Sequence, residues 1–328
     1  MTSNAATQML DHLYAPMAQV DTLILHHMQS SIPLIAQIGQ HIIRAGGKRV
    51  RPMMTLAAAQ LTGAVKMDDA CQLAAAVEFI HTATLLHDDV VDGSDLRRSV
   101  PTANTVWGNK APVLVGDFLF SRAFELMVAV GRLDVLETLS RASATIAEGE
   151  VHQLKTTNDL STTQETYIQV IGAKTAALFE AAMRAGALVA GAKDREVEAL
   201  GRYGYELGIA FQMADDALDF SASKADMGKA SGDDFREGKV TLPIILAYQA
   251  GDGDERAFWQ RCIEKLDQKD TDLATARAYL ESHGALKQTL ARAQAAGNVA
   301  KQVLEVFEAS ALKSLLIDLI DFVVYRRH

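Results

Sequence analysis

Two copies of one acidic pattern lie far apart in the sequence and could bind a metal. Each copy reads Asp-Asp-x-x-Asp and follows an apolar, helix-forming stretch: Asp88, Asp89 and Asp92 in the first triplet, and Asp215, Asp216 and Asp219 in the second. On a helix, residues four apart share a face, so the outer aspartates of each triplet lie one above the other. Carboxylates are hard ligands suited to Mg²⁺, which fills its shell with one or two carboxylates, waters and substrate phosphate. Two facing triplets could therefore clamp a diphosphate.

A single triplet could equally be a solvated helix end. The metal-site interpretation is favoured here because the pattern recurs in an apolar setting and because cations follow each copy. Arg97 and Arg98 come after the first triplet, and Lys229 and Lys239 come after the second. Carboxylates mixed with guanidinium and ammonium groups suit a metal-bridged polyanion.

Composition restricts the functional class. The chain has 328 residues, 49% of them hydrophobic, and a formal net charge of −9, which argues against nucleic-acid binding. Its two cysteines, Cys71 and Cys262, match no metal or redox spacing. No long uncharged apolar run predicts a membrane span, and the N-terminus lacks the pattern of a signal peptide. We therefore expect a cytoplasmic protein that is not transmembrane.

The sequence predicts an all-α protein with a single domain over residues 1–328. Only six prolines occur, none lies between Val113 and Leu242, and good helix formers dominate that span. No period-two alternation predicts strands. Residues 92–112 and 221–238 are predicted to be long polar connections that could cover the acidic helices.

Small side chains precede the first triplet. Ala76, Ala83 and Thr84 lie on the helix that leads to Asp88. They could allow close helix packing, which we favour for residues 74–76, or they could leave room for an apolar ligand that descends along the helix. A diphosphate head with a long apolar tail describes a prenyl diphosphate.

These motifs resemble those of the trans-type long-chain polyprenyl diphosphate synthases, and most closely those of the bacterial octaprenyl members of quinone biosynthesis. The matching segments occur in family order and cover roughly residues 40 to 245: residues 46–52, 81–92, 97–98, 116–119, 147–150, 174–176, 211–219 and 232–239. Residues 251–310 carry no motif that we assign.

The resemblance implies a fold, a reaction and a metal. The fold is an antiparallel helix bundle around a central cavity, and the protein is a homodimer. The reaction is the repeated head-to-tail addition of isopentenyl diphosphate to an allylic diphosphate such as farnesyl diphosphate. Its long product, octaprenyl by resemblance, is handed to a membrane enzyme. Asp88, Asp92 and Asp215 bind Mg²⁺, while Asp89, Asp216 and Asp219 ligate the metal or orient its waters.

The resemblance also assigns substrate pockets. The isopentenyl diphosphate pocket is formed by Lys48, Arg51, His81 and Arg98. The allylic diphosphate is contacted by Arg97, Lys174, Thr175, Gln212, Lys229 and Lys239, with Lys174 also counted among the catalytic residues. Without this context His81 could be a core histidine, Lys48 and Arg51 solvated charges, and Thr175 and Gln212 partners of buried backbone groups. Chain length is assigned to Ala83 and Thr84, where shorter-chain relatives carry bulky aromatic residues. Phe124, Leu126 and Met127 on the following helix are candidates for a deeper tunnel floor, and the sequence does not give the direction in which they face.

Three alternatives stay open. A terpene cyclase also has an aspartate-rich site, but it usually lacks the basic segment of residues 46–52. A non-catalytic partner subunit often loses one triplet, and a helical scaffold explains neither. Both triplets are intact here, which favours the synthase.

Overall fold

In a computed structural model, the protein is described over residues 5–44, 49–63, 67–97, 100–221 and 232–325. The helices before residue 160 are α1 (Ala5–His12), α2 (Tyr14–His27), α3 (Pro33–Arg44), α4 (Val50–Leu61), α5 (Asp68–Val91), α6 (Ala103–Trp107), α7 (Lys110–Val130) and α8 (Leu133–Thr156). They are followed by α9 (Gln164–Ile171), α10 (Ala177–Val189), α11 (Asp194–Ser221), α12 (Asp233–Arg236), α13 (Leu242–Ala250), α14 (Gly253–Trp259), α15 (Asp272–Ser282), α16 (Ala285–Val303) and α17 (Ala311–Tyr325). The all-α prediction is confirmed.

Short irregular turns interrupt this pattern. Gly172–Ala176 and Gln260–Glu264 are π-helical turns, and Leu304–Val306 is a 3₁₀ turn. The first π turn joins α9 directly to α10, so the three elements form one continuous rod. Single π turns within helices often occur at functional sites.

The prolines mark where helices begin. Pro16, Pro33, Pro52, Pro112 and Pro243 each lie within the first turn of a helix. A missing backbone N–H is harmless there because the first-turn N–H groups have no partner within the helix. The sixth, Pro101, lies in a strand.

The connection after α5 differs from the prediction. Residues 92–112 are not one long loop, because they contain an antiparallel ribbon, α6 and the start of α7. The ribbon pairs β1 (Leu96–Arg97) with β2 (Val100–Pro101), and Leu96 lies opposite Pro101. Strands this short carry too few residues for an alternation to be visible in the sequence.

The core consists of two clusters of buried apolar side chains. The larger cluster surrounds α5, where Ala74, Ala75 and Ala76 are fully buried and where α2, α4, α7 and α10 all contact the helix. This agrees with close helix packing at these alanines. The smaller cluster contains the buried side chains of α13 and the aromatic residues Phe235 and Trp259.

Glycine allows α10 to approach its neighbours closely. A Cβ at Gly186 would lie 2.1 Å from the carbonyl oxygen of Thr55 on α4, and one at Gly204 on α11 would lie 2.4 Å from that of Phe179. Real Cβ atoms do not approach so closely, so a side chain at either position would push the helices apart. These contacts hold α10 against α4 and α11, and predicted site residues lie on α4, on α11 and in the π turn that precedes α10. Within the described residues, we find no helix with the length and apolar character needed to cross a membrane.

Candidate active site

Both aspartate triplets lie at the C-terminal ends of long helices. Asp88 and Asp89 occupy the last turn of α5, Asp92 caps it, and the second triplet lies in the last two turns of α11. The C-terminal end of a helix carries partial negative charge and favours cations. Neither helix has a basic residue in its last turn. The stabilising positive charge must therefore come from elsewhere in the fold or from a ligand.

Cations from other elements contact the first triplet. Lys174 Nζ lies 3.7 Å from Asp88 Oδ2 and donates to Glu150 Oε2 at 2.7 Å. Lys239 Nζ donates to Asp92 Oδ2 at 2.9 Å. Two lysines predicted to contact the allylic diphosphate therefore lie beside the aspartates predicted to bind metal.

Asp89 has a different environment from its neighbours in the triplet. It is buried, and Arg97 donates to it from both Nε and Nη2, with Nη2 2.7 Å from Oδ1. This bidentate pair fixes the chain that leaves α5 for the ribbon. A role for Asp89 in orienting metal-bound water, and for Arg97 in binding the allylic diphosphate, stays a prediction.

The second triplet divides in the same way. Asp215 is exposed, whereas Asp216 is buried. Asp216 accepts from Tyr167 Oη at 2.6 Å and from Gln212 Nε2 at 2.7 Å. Asp219 accepts from the backbone N–H groups of Gly232, Asp233 and Asp234 at 3.1–3.2 Å. It therefore anchors the start of α12, and its predicted role toward metal or water stays a prediction.

Lys239 brings the two triplets together. Its ammonium group forms ion pairs with Asp92 of the first triplet and with Glu237. It also lies near the carboxylate of Asp234, and the backbone N–H of Asp234 donates to Asp219 of the second triplet. Burial alone would lower the pKa of Lys239, but Asp92, Asp234 and Glu237 outweigh it and leave the pKa well above the usual value. Lys239 is therefore fully charged at neutral pH.

Burial makes negative charge costly throughout the site. Burial raises the pKa of Asp88, and the nearby ammonium group of Lys174 offsets part of this rise. Burial also raises the pKa of Asp216 to about 7, although the hydrogen bonds from Tyr167 and Gln212 act to lower it. The pKa of Asp234 is raised well above its usual range, first by burial and then by Asp216 and Asp219. Among the described residues of the site, carboxylates outnumber cations, and a divalent cation would relieve this excess of negative charge.

The predicted allylic residues Thr175 and Gln212 are also brought together. Thr175 Oγ1 donates to Gln212 Oε1 at 2.9 Å, and Gln212 in turn donates to Asp216. Lys174 and Thr175 both lie in the π turn between α9 and α10. Near them is a cavity of about 120 Å³, lined among others by Tyr167, Lys174 and Lys239.

The predicted isopentenyl diphosphate residues Arg51 and His81 are neighbours. Arg51 Nη1 lies 3.1 Å from His81 Nε2, and the guanidinium stacks 4.2 Å above the ring of Phe179. Burial lowers the pKa of Arg51 to about 10, although the negative charge of Glu78 acts to raise it. The guanidinium group therefore stays charged at neutral pH. Its Nε has no hydrogen-bond partner within the described part of the chain. A buried charged donor without a partner suits an anionic ligand.

The chain-length residues have mixed positions. Ala83 is fully buried, Thr84 is half-buried, and Leu126 and Met127 are both buried. None of the four lines the cavity described above, so their role stays a prediction. Phe124 is 41% exposed and points away from the core of this chain. Its part in the tunnel floor therefore also stays a prediction.

Three predicted residues lie outside the described residues: Lys48, Arg98 and Lys229. Three other residues were missed by the sequence interpretation. Glu150 and Asp234 lie within the quoted motifs and could have been suspected as acidic residues beside apolar ones. Tyr167 had no comparable signal, because its contact with Asp216 joins residues 49 positions apart.

The donor set fits a metal shared with substrate rather than a closed protein cage. No group of three or more His, Cys, Asp or Glu side chains in the described ranges is arranged to hold an ion alone. Mg²⁺ typically takes only one or two carboxylates and completes its shell with water and substrate phosphate. That Asp88, Asp92 and Asp215 supply those carboxylates stays a prediction.

The comparisons with known proteins agree with this geometry. The model of the polyprenyl synthetase family matches residues 32–280. The chain belongs to this family. It is 43% identical over 310 residues to an octaprenyl diphosphate synthase of Escherichia coli, a match that covers 94% of this chain and 95% of that protein.

Solved structures show the same fold. A polyprenyl synthase from Caulobacter crescentus, solved with calcium and isoprenyl diphosphate, has a TM-score of 0.96 at 49% identity and covers all of both chains. A decaprenyl diphosphate synthase from Rhodobacter capsulatus has a TM-score of 0.93 at 49% identity and covers 97% of this chain and 98% of that one. The protein is therefore a prenyltransferase that elongates prenyl chains, in a family that depends on a divalent metal.

Proposed function

We propose that this protein is a Mg²⁺-dependent trans-polyprenyl diphosphate synthase that extends farnesyl diphosphate with isopentenyl diphosphate to a long product, octaprenyl diphosphate, for quinone side chains. The observation that carries the proposal is the position of Lys239. It joins Asp92 of the first triplet to the Asp234 and Asp219 side of the second. The two metal-binding motifs thus face one space.

Different residues would bind the metal and each of the two diphosphates. Asp88, Asp92 and Asp215 would hold the metal, and Lys174 and Lys239 are placed to bind the oxygens of the allylic diphosphate between them. Arg51 and His81 lie together and would bind the second diphosphate without metal. Bound Mg²⁺ would act as a Lewis acid that stabilises the departing diphosphate.

No protein nucleophile is required, because the double bond of isopentenyl diphosphate attacks the allylic carbon as its bond to the diphosphate breaks. The resulting cation then loses a proton, for which the released diphosphate is the acceptor. The state of the two cysteine thiols agrees with a reaction that uses no protein nucleophile. Burial raises the pKa of Cys71 to about 11 and that of Cys262 to about 12, with Asp68 and Asp272 adding to the respective shifts. Both thiols are therefore protonated and inert at neutral pH. Two buried free thiols also fit a reducing compartment, which supports the cytoplasm as the location.

The assay uses purified protein, labelled isopentenyl diphosphate, farnesyl diphosphate and Mg²⁺. The expected result is Mg²⁺-dependent formation of a linear prenyl product of about eight isoprene units, the length set by the similarity to octaprenyl synthases. A cyclic hydrocarbon would show a terpene cyclase instead. Activity only after a second subunit is added would show a partner subunit. Asp92→Asn is the matched inactive control, since it keeps the volume and removes the charge.

We also propose a homodimer of single-domain subunits, each formed by residues 1–328. An exposed apolar stripe supports the dimer: Leu114 and Val128 on α7 are 66% and 64% exposed, and Val151 and Leu154 on α8 are 58% and 59% exposed. Contiguous exposed apolar side chains typically mark an interface. Phe124 lies one turn before Val128 and belongs to this stripe.

Sedimentation of Leu114→Glu tests the dimer. The variant should be a monomer at concentrations where the wild type is a dimer, because a buried unpaired charge opposes association. Leu25→Glu on α2, where Leu25 is 57% exposed, is the control and should stay dimeric. A monomeric wild type would contradict the proposal.

A further inference from the structure

The hydroxyl group of Tyr167 lies at the centre of a hydrogen-bond chain behind the metal motif. It donates to Asp216 Oδ2 at 2.6 Å, while Gln212 donates to Asp216 Oδ1 at 2.7 Å. Gln212 is itself held by Thr175 through a 2.9 Å bond to its carbonyl oxygen. Two neutral donors thus occupy both oxygens of one buried carboxylate.

These bonds join two elements that must keep a fixed relation. Tyr167 and Thr175 belong to the continuous rod of α9, the π turn and α10, whereas Gln212 and Asp216 belong to α11. Tyr167 is 4% exposed and Asp216 is 3% exposed, so neither side chain has another rotamer available without opening the core. The rod therefore holds the end of α11 at Asp216.

Holding Asp216 sets the direction of its neighbours. Successive residues of a helix point in directions about 100° apart. Because Asp216 points into the core, Asp215 must point to a different side of α11. Asp215 is exposed, as this requires, and Asp219 is bound to the start of α12. Loss of the inward bond would allow the last turns of α11 to rotate and would move Asp215 relative to Lys174 on the rod.

We propose that Tyr167 is a positioning residue of the second aspartate motif. Its hydroxyl group fixes the end of α11, so that Asp215 and the turn containing Lys174 and Thr175 face the same diphosphate. The inference rests on the proposed function for the identity of that ligand. Tyr167 also lines the cavity beside Lys174 and Lys239, but its assigned role is to hold Asp216 rather than to bind the ligand.

Tyr167→Phe tests the role, because it removes one hydroxyl group and keeps the ring in the core. Binding of Mn²⁺ in the presence of pyrophosphate, followed by electron paramagnetic resonance, should weaken about tenfold, as expected for a lost hydrogen bond to a charged group. The KM for the allylic substrate should rise by a similar factor, while the KM for isopentenyl diphosphate should stay within about twofold.

Tyr203→Phe is the matched control. Its hydroxyl group is also buried and donates at 2.8 Å to the carbonyl oxygen of Leu316 on α17, remote from the aspartates. Both variants should lose comparable thermal stability, but only Tyr167→Phe should lose affinity for Mn²⁺. Equal Mn²⁺ binding by Tyr167→Phe and the wild type, or equal loss in both variants, would overturn the inference.

The metal titration keeps this result separate from the proposed function. Selective loss of Mn²⁺ affinity in Tyr167→Phe supports the positioning role even if the wild type fails to elongate farnesyl diphosphate. Failure of elongation by the wild type would refute the proposed function and not this inference.

Discussion

At the scale of single residues, the site concentrates negative charge where the fold least favours it. The aspartates lie at the negative ends of helix dipoles, and burial raises the pKa of Asp88, Asp216, Asp219 and Asp234. When the pKa of an acid is higher in the folded state than in the unfolded state, the folded state favours the protonated form. Ionisation of that acid at neutral pH therefore lowers the free energy of unfolding. Ionised, these groups do not stabilise the fold, and we expect their charge to serve ligand binding.

Asp88→Asn tests this separation of function from stability. Turnover should fall by orders of magnitude, because the variant loses charge that binds the metal. The free energy of unfolding at pH 7 should be unchanged or slightly higher than in the wild type, since the raised pKa means that ionised Asp88 opposes folding. Any gain should vanish as the pH falls through that pKa.

Steady-state kinetics and chemical denaturation provide the two measurements for Asp88→Asn. Asp11→Asn, at an exposed position of α1, changes the same charge and should leave both quantities at wild-type values. Near-normal turnover of Asp88→Asn in Mg²⁺ would contradict the two-sided clamp.

Arg51 and Lys174 should separate the two diphosphate pockets. Arg51→Lys should raise the KM for isopentenyl diphosphate, because an ammonium group cannot replace the planar guanidinium that stacks on Phe179. Lys174→Gln should instead raise the KM for the allylic diphosphate. Each loss should be about tenfold, the value of one charge-assisted contact. Identical effects of both variants on both substrates would show that the two pockets are not distinct.

At the scale of elements, the sequence predicted most of the helices because their determinants are local. The helix-forming stretches before the two triplets correspond to α5 and α11, and the absence of proline between Val113 and Leu242 agrees with the long helices of that span. The π turn at Gly172–Ala176 was not predictable in this way. A Cβ at Gly172 would lie 2.7 Å from Tyr205 Oη on α11, so the turn depends on packing between elements distant in sequence.

The same limit applies to the site. The triplets and basic motifs were visible as sequence patterns, and Lys174, Lys239, Asp88 and Asp92 are indeed neighbours. Glu150 lies within a quoted motif, but the contact of Tyr167 with Asp216 joins two distant helices and leaves no periodic signal. The exposure of Phe124 was equally hidden, because an exposed apolar residue and a buried one look alike in a sequence.

Asp272 stabilises the elements after α13, where the sequence showed no motif. It is buried, and Arg261 of the second π turn donates to both of its oxygens at 2.8 and 2.9 Å. The hydrogen bonds from Arg261 hold the pKa of Asp272 well below its usual range. Because the folded-state pKa is depressed, this stabilisation is present above the unfolded-state pKa of about 3.9 and is lost as the pH falls further.

Asp272→Asn should therefore lower the free energy of unfolding at pH 7 by about 2 kcal/mol, as expected for lost charged hydrogen bonds. The difference from the wild type should shrink in acid, below about pH 4. Urea denaturation across this pH range measures it, with Asp254→Asn in the exposed first turn of α14 as the control. A difference that is independent of pH would rule out the ion pair as its source.

At the scale of the whole molecule, the site lies where the two core clusters meet. The first triplet ends α5 of the larger cluster, whereas Tyr167 and Phe235 belong to the smaller one. We expect the head of the substrate to bind between the clusters and its tail to enter the larger one, which contains Ala83. The relatives include octaprenyl and decaprenyl synthases, so the depth available in the larger cluster, rather than the shared head site, should set product length.

Bulk introduced beside α5 tests this division. Ala83 and Thr84 lie about one turn before Asp88, and α5 packs most extensively against α7, which carries Leu126 and Met127. Thr84→Phe at a half-buried position and Ala83→Phe at a fully buried one both place a ring where the first tail carbons would pass. Elongation should stop after one or a few additions, so the product should shorten from about eight isoprene units to three or four by steric exclusion.

Chromatography of the products gives the length, and the rate of the first condensation should be largely preserved because the head site is untouched. Ala83→Phe could lose stability through overpacking, which thermal melting would reveal, whereas Thr84→Phe has more space around it. Ala144→Phe, at an exposed position of α8, adds the same bulk away from α5 and should keep the long product. A long product from a folded Thr84→Phe variant would mean that the tail leaves the aspartates by a route other than the one beside α5.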